Sequence, residues 1–243
     1  MKIDTKEMQS VAQAQAPRVD MYSGIHKAMR ALMADTLLAV GRMDCDDALE
    51  LAQVTERVMQ LLDFCRSHLA HENAFVHTAM EARAPGASEA VAREHEDHAR
   101  HIAQLAEVVA ALRAAPAPQR FAEQQRLYAE LTLFVADNFH HMRVEETAHN
   151  AVLWARYTDA ELIAIHDALV GSIPPGEMMF AMRWLVPFMS PIERAGFLGD
   201  VRAKAPAPAF QAILDTVRPH LAEREWAKLA KALCLPAVPG LVA

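Results

Sequence analysis

Along the first two thirds of the chain, core-type residues recur at alternating steps of three and four. That spacing gathers side chains on one face of a helix. Tyr22, His26, Met29, Met33 and Val40 mark a first helix. Val54, Val58, Leu61, Cys65, His68, Glu72, Phe75 and Ala79 mark a second, and Val91, His95, His98, Ile102, Leu105, Val109 and Leu112 a third. A fourth follows Leu127, Leu131, Phe134, Asn138, His141, Glu145, Ala148 and Val152. Breaks fall between them: Gly41 with Asp44, Asp46 and Asp47; Ala84-Pro85-Gly86-Ala87-Ser88, read as ending the second helix and capping the third; and the stretch from Ala114 to Pro118. Four helices with short links over residues 21–157 predict an all-α fold, an up-down-up-down four-helix bundle. Residues 1–20, rich in Gln and Ala, read as a flexible lead-in. Residues 158–243 read as a helical C-terminal appendage broken by Pro174-Pro175, Pro187, Pro206, Pro208 and Pro219. Thr158–Glu161 and Ser190–Glu193 have capping-box spacing and open helices there. No chemistry is legible in this tail, which is expected to pack on the bundle or to make a homo-oligomer contact.

Composition strengthens the helical reading. Hydrophobic residues make up 53% of the 243 positions, yet aromatics only 6% and glycines number 8. A sandwich or barrel would need more β-branched, aromatic and turn residues. The charge, 24 basic against 31 acidic residues, has no basic cluster, so nucleic acid is not an expected partner. No uncharged apolar run reaches 18 residues and the first 20 have no apolar core, so neither a membrane span nor a secretory signal is expected. Cys45, Cys65 and Cys234 are odd in number and outside any C-x-x-C, as for buried small hydrophobes in a reducing compartment. The expected setting is cytoplasmic. GxGxxG, P-loop and GxSxG motifs are absent, which leaves nucleotide-cofactor and serine-hydrolase chemistry without support.

The histidines change the picture. Ten of the 12 fall between His26 and His149. Every predicted helix places polar, titratable groups on its otherwise apolar stripe: His26; His68 and Glu72; His95 and His98; His141 and Glu145. His26 and His95/His98 lie near the starts of their helices, and the two His-Glu pairs toward the ends of theirs. In an up-down-up-down bundle all four positions meet at one level. Bare, such a cluster would cost roughly 1–3 kcal/mol for each unmatched polar group, and more for each charge. A pair of divalent metals removes the cost, because imidazoles lend lone pairs and carboxylates bridge two ions. Each His-x-x-x-Glu sets both ligands one turn apart on one face. The mixed N/O donor set suits Fe, Mn or Zn, and the lack of cysteine argues against Cu(I) and iron–sulfur clusters.

Ile25-His26-Lys27-Ala28-Met29-Arg30, His68-x-x-x-Glu72-Asn73-Ala74-Phe75-Val76, Glu94-His95 and His141-x-x-x-Glu145 together resemble the hemerythrin-like (HHE cation-binding) family, over residues 21–157. The resemblance implies a four-helix bundle with a non-haem di-iron centre, two iron ions that bind or react with O₂ or related small oxidants such as nitric oxide and peroxide. The family includes oxygen carriers, oxygen or iron sensors, and proteins associated with repair of iron centres. His26, His68, Glu72, His141 and Glu145 match its motif position by position. In the third helix His95 fits the Glu-His motif and His98 shares its stripe, so both stay candidates. Glu145 and Glu146 lie four and five residues after His141, and Glu145 falls on the stripe. This departs from the oxygen-carrier pattern and brings the site nearer the sensor and repair branch. His71, His77, His140 and His149 fall off the stripes and are expected at the surface or behind the ligands. Asn138 is a candidate partner of His141 or an interior hydrogen bond, and Tyr22 a core residue. Two other functions fit the same residues: a di-iron oxidoreductase acting on an organic or peroxide substrate, and an iron-responsive interaction module.

Overall fold

The helices begin and end where side chains can satisfy their free backbone groups. In the computed structural model, which describes residues 18–235, Asp47 accepts hydrogen bonds from the amides of Leu49 and Glu50 and starts the second helix. Thr158 and Glu161, and Ser190 and Glu193, form the reciprocal pairs expected from their spacing. Ser88 does otherwise. It makes no cap to the third helix; its hydroxyl donates to Glu81 at 2.7 Å, and the same carboxylate accepts the amides of Gly86 and Ser88. Gly86 turns the chain at φ 83°.

The first helix, α1, spans Ser23–Arg42. α2 runs over Ala48–His71, widens into a π-helical turn at Glu72–His77 and resumes over Thr78–Arg83. α3 spans Glu89–Ala114. α4 runs over Ala117–Val144, widens at Glu145–His149 and resumes over Asn150–Arg156, and α5 spans Asp159–Ser172. Beyond these lie α6 (Pro175–Leu185), α7 (Pro191–Lys204), α8 (Ala207–Val217) and α9 (Glu223–Ala232). Two of the tail's prolines open helices: Pro175 and Pro191 are the first residues of α6 and α7. Among the described residues there is no strand, and no helix is long and apolar enough to cross a membrane.

The described chain forms two compact units, one of residues 18–26 and 32–172, the other of 27–31 and 173–235. In the first, Arg113 near the end of α3 donates to Thr55 near the start of α2, while Asn73 far along α2 meets His95 near the start of α3. Glu94 of α3 meets His141 late in α4. Tyr22, before α1, meets His149 late in α4, whereas Gln124 early in α4 donates to the carbonyls of Val40 and Met43 at 3.1 and 2.8 Å. Arg18 donates to the carbonyls of Trp154 and Tyr157, and Trp154 donates to that of Val19, so residues 18–20 of the expected lead-in are tied down. Met21, Tyr22, Val76, Met80, Leu153 and Leu162 form an apolar cluster around this end. Residues 1–17 and 236–243 lie outside the described residues.

The second unit has its own core of Val186, Leu198, Phe210, Ile213, Leu214, Val217 and Leu229. Buried Arg194 donates to the carbonyls of Val186, Pro187 and Met189. Cys45 and Cys65 are buried as expected, but Cys234 is exposed, at φ 50° just past α9 where the helix end turns left-handed.

The two π turns shift the buried face by one residue. Up to Glu72 the stripe of α2 is buried as its 3.6-residue period requires; beyond it Val76 and Met80 are buried in place of Phe75 and Ala79. Beyond Glu145, His149 and Leu153 are buried in place of Ala148 and Val152. A π turn holds one more residue than an α turn, so whatever follows rotates by one position.

Gln124→Leu leaves two buried carbonyls without donors. In chemical denaturation of the metal-free protein it is expected to lower stability by about 1–3 kcal/mol; an unchanged midpoint would show that water replaces the amide.

Candidate metal centre

Six side chains from four helices converge below the π turns. His26 sits on the first turn of α1, His68 and Glu72 on α2, His95 on α3, and His141 and Glu145 on α4, and all six are buried. Glu145 and His26 are 0% exposed. The inward nitrogen of each imidazole is Nε2. That of His68 lies 3.1 Å from Glu72 Oε1, and that of His26 lies 3.6 Å from Glu72 Oε1 and 3.5 Å from Glu145 Oε2. His95 Nε2 lies 3.5 Å from Glu72 Oε2 and 3.3 Å from Glu145 Oε1, and His141 Nε2 lies 3.3 Å from Glu145 Oε1. The donor atoms gather as His26, His68, Glu72 and Glu145, and as Glu72, His95, His141 and Glu145, each set within 4.8 Å. Both carboxylates belong to both sets.

The outward nitrogens settle where the protons are. His26 Nδ1 faces Glu146 Oε1 at 3.2 Å and His141 Nδ1 faces Glu94 Oε2 at 2.8 Å. His95 Nδ1 faces Asn73 Oδ1 at 2.8 Å. These oxygens accept, so Nδ1 carries the hydrogen in each case and Nε2 is left with a lone pair. Yet His95 Nε2 and His141 Nε2 stand 3.1 Å apart, with carboxylate oxygens around both. Acceptors facing acceptors at that distance need a positive charge between them: a proton or a metal cation.

Proton affinities register the same conflict. Burial opposes a charge on His26, but the hydrogen bond to Glu146 and the close carboxylates of Glu72 and Glu145 push it up to about 9. Burial likewise opposes charge on His141, and is outweighed by the charge of Glu145 and hydrogen bonds to Glu145 and Glu94, which raise it to about 10. Burial and the charge of neighbouring His26 drive His68 well below its ordinary value. Burial and the proximity of Glu145 push Glu72 upward. Burial alone would raise Glu145 too, but His141, His95 and His26 hold it well below the carboxylate range.

A cation fits this cage. Buried and without a hydrogen-bond partner are His26 Nε2, His68 Nε2, both oxygens of Glu72 and Glu145 Oε2. Each is a lone-pair atom aimed inward, and native interiors rarely leave such atoms unpaired. Carboxylates and an amide oxygen behind the imidazoles are the outer partners that orient metal-bound histidines.

His98 does not join either set. Its ring stands edge-on to His141 at 4.5 Å, its Nδ1 has no partner, and burial with the neighbouring His141 lowers it to about 4. Between the neighbouring acids, Glu145 enters the cage while Glu146 braces His26 from behind. Asn138 donates to the carbonyl of Phe134, one turn back, rather than to His141. His140 is exposed and His71 half-buried, as their off-stripe positions imply. His77 and His149 are not at the surface: both are buried, and with Glu145 they form a third group within 4.8 Å. His77, five residues after Glu72, is out of reach of steps of three and four, and His149 is one position past the stripe residue Ala148; each is the last residue of a π turn. Glu94 and Asn73 were within reach of the sequence, since each adjoins a motif residue, but their role depends on a neighbouring helix.

The model of the hemerythrin HHE cation binding domain family matches residues 18–149, more than half of the chain. No curated protein and no solved structure matches. The chain belongs to the hemerythrin HHE cation-binding family.

In a proton NMR titration of the metal-free protein, His77, His98 and His149 are expected to stay neutral through pH 5, since burial and neighbouring imidazoles bring each to about 4. His26 and His141 are expected to lose their protons only near 9 and 10. Twelve histidines titrating together between 6 and 7 would refute the buried network.

Proposed function

From this membership of a cation-binding family we propose a non-haem di-iron protein that binds, senses or reacts with O₂ or a related small oxidant such as nitric oxide or peroxide. His26 and His68 would hold one ion and His95 and His141 the other, with Glu72 and Glu145 available to both. His98 stays behind His141 as packing. We further read α1 to α4 as an up-down-up-down bundle, because the start of each helix meets the end of the next at the paired residues above. The observation that carries the reading is the convergence of four Nε2 lone pairs on two shared carboxylates that lack other partners.

When bound, two iron ions supply redox electrons and an open coordination position for a small ligand. The chain's own part is to hold the imidazoles in the ligating tautomer. Glu146 and Glu94 do this for His26 and His141 by accepting the Nδ1 hydrogens. Charge is matched as well: Glu72, Glu145, Glu94 and Glu146 give four negative charges opposite two divalent ions. Manganese or zinc meets the same donors, and metal analysis decides among them.

Purified protein is expected to hold about two irons per chain, and His68→Ala/Glu72→Ala less than about half an equivalent. Wild-type iron below about half an equivalent, unchanged in the double variant, would overturn the reading. Because His26 and His141 hold protons up to about 9 and 10, metal uptake at neutral pH must expel them. Apparent affinity is therefore expected to rise by about tenfold per pH unit, or more, between 6 and 9. A pH-independent affinity in a competition titration would contradict a histidine-dominated site. Stopped-flow mixing of the reduced protein with O₂ separates a lasting adduct, as for a carrier or sensor, from turnover with a reductant, as for an oxidoreductase.

A further inference from the structure

His77 and His149 are buried imidazoles that the six proposed ligands leave unused. Each comes from a π turn, His77 five residues after Glu72 and His149 four after Glu145. The widened turns therefore bring first a carboxylate and then an imidazole to the same interior. The two rings meet edge to face at 5.3 Å, and His77 lies flat on His95 at 4.8 Å and 17°. A ring nitrogen of each lies within 4.8 Å of the other and of a Glu145 oxygen. Nε2 of both is buried with no hydrogen-bond partner. Tyr22, 1% exposed, has its hydroxyl 3.0 Å from His149 Nδ1.

Two imidazoles and a carboxylate would ordinarily suggest a third metal position. The proton positions and the charge count argue otherwise. A buried phenol must donate its hydrogen. Nδ1 of His149 is the acceptor that Tyr22 meets among the described residues. Burial and the nearby charges of Glu145 and Glu72 hold Tyr22 in its protonated form. An Nδ1 that accepts leaves a neutral imidazole with its hydrogen on Nε2, a donor with no lone pair for a metal. A third divalent ion would also add two positive charges to a cage in which four carboxylates already balance two ions. Neither Nε2 has met an acceptor: Glu145, the carboxylate within 4.8 Å, makes no hydrogen bond to either ring. Glu145 has its oxygens turned to His26, His95 and His141.

We propose that His149 and His77, with Tyr22 fixing the tautomer of His149, form a polar subsite for a small monoanion bound at the metal centre, His149 donating its Nε2 hydrogen. The class is that of azide and hydroperoxide: few atoms, one negative charge, lone pairs at the end remote from the metal. The apolar residues Val76, Met80 and Leu153, clustered with Tyr22, leave this donor no competing side-chain acceptor among them. The proposal rests on the di-iron reading. It adds a preference for anionic ligands over neutral ones.

Azide is the probe, titrated into the oxidised iron-loaded protein and followed by its charge-transfer absorption, with iron measured on each sample. His149→Ala is expected to weaken azide binding about tenfold or more while iron stays at about two per chain. Tyr22→Phe, which keeps the ring and its packing, is expected to weaken it several-fold, and His149→Gln, which retains an N–H donor, to restore part of the loss. Azide binding unchanged in both His149→Ala and Tyr22→Phe would overturn the proposal. So would three irons in the wild type falling to two in His149→Ala, since His149 would then be a metal ligand. A wild type without iron would instead remove the metal centre itself, and this subsite with it.

Discussion

The rest of the structure depends on one repulsion. Lone pairs of His26, His68, His95 and His141 and oxygens of Glu72 and Glu145 are packed within hydrogen-bond distance of one another where water does not reach. Brought together with nothing positive among them, they would push the helices apart. Burial in a low-dielectric interior magnifies the effect. Without metal, protons do the neutralising, which is why His26 and His141 hold theirs far above the ordinary imidazole range. In the proposed di-iron form, two ions would replace those protons. This end of the helices is thus stable only when charged from within, and cation binding and local structure are one equilibrium.

Around that cage the chain has arranged restraint at a second level. Glu146, Glu94 and Asn73 come from α4, α3 and α2, and each fixes an imidazole on a different helix. Three of the four imidazoles, His26, His95 and His141, are therefore oriented by their own stripe and by a neighbour's side chain. The π turns extend the pattern in pairs: His68, Glu72 and His77 on α2 are echoed by His141, Glu145 and His149 on α4. Tyr22 and the apolar cluster of Met21, Val76, Met80 and Leu153 close this end. A wide turn costs helix regularity; it persists here where it turns two additional imidazoles inward.

Much of this was legible in the sequence because helical period and charge cost act locally. Four stripes located α1 to α4, and the interruption of each by a titratable group pointed to His26, His68, Glu72, His95, His141 and Glu145. His98 lies on the same stripe as His95 and is also buried, so periodicity alone could not separate them; the difference is that His95 meets Asn73 and Glu145 across helices while His98 meets the rings of His141 and Phe134. His77 and His149 escaped because a strict 3.6-residue count runs out at a π turn, and no residue type announces one. Ser88 had the right residue for a cap, but Glu81, seven residues earlier, competes for its hydroxyl. Such failures share a cause: partners distant in sequence, or a change of helical pitch, decided the outcome.

In the proposed centre, metal ions take the place of protons in the space among the four Nε2 atoms. Its most direct test is an anomalous difference map, collected at the iron edge from crystals of the iron-loaded protein. Two peaks are expected, one beside His26 and His68 and the other beside His95 and His141, with Glu72 and Glu145 reaching both. No peak in this cage, or a lone peak that leaves either histidine pair without metal, would contradict it.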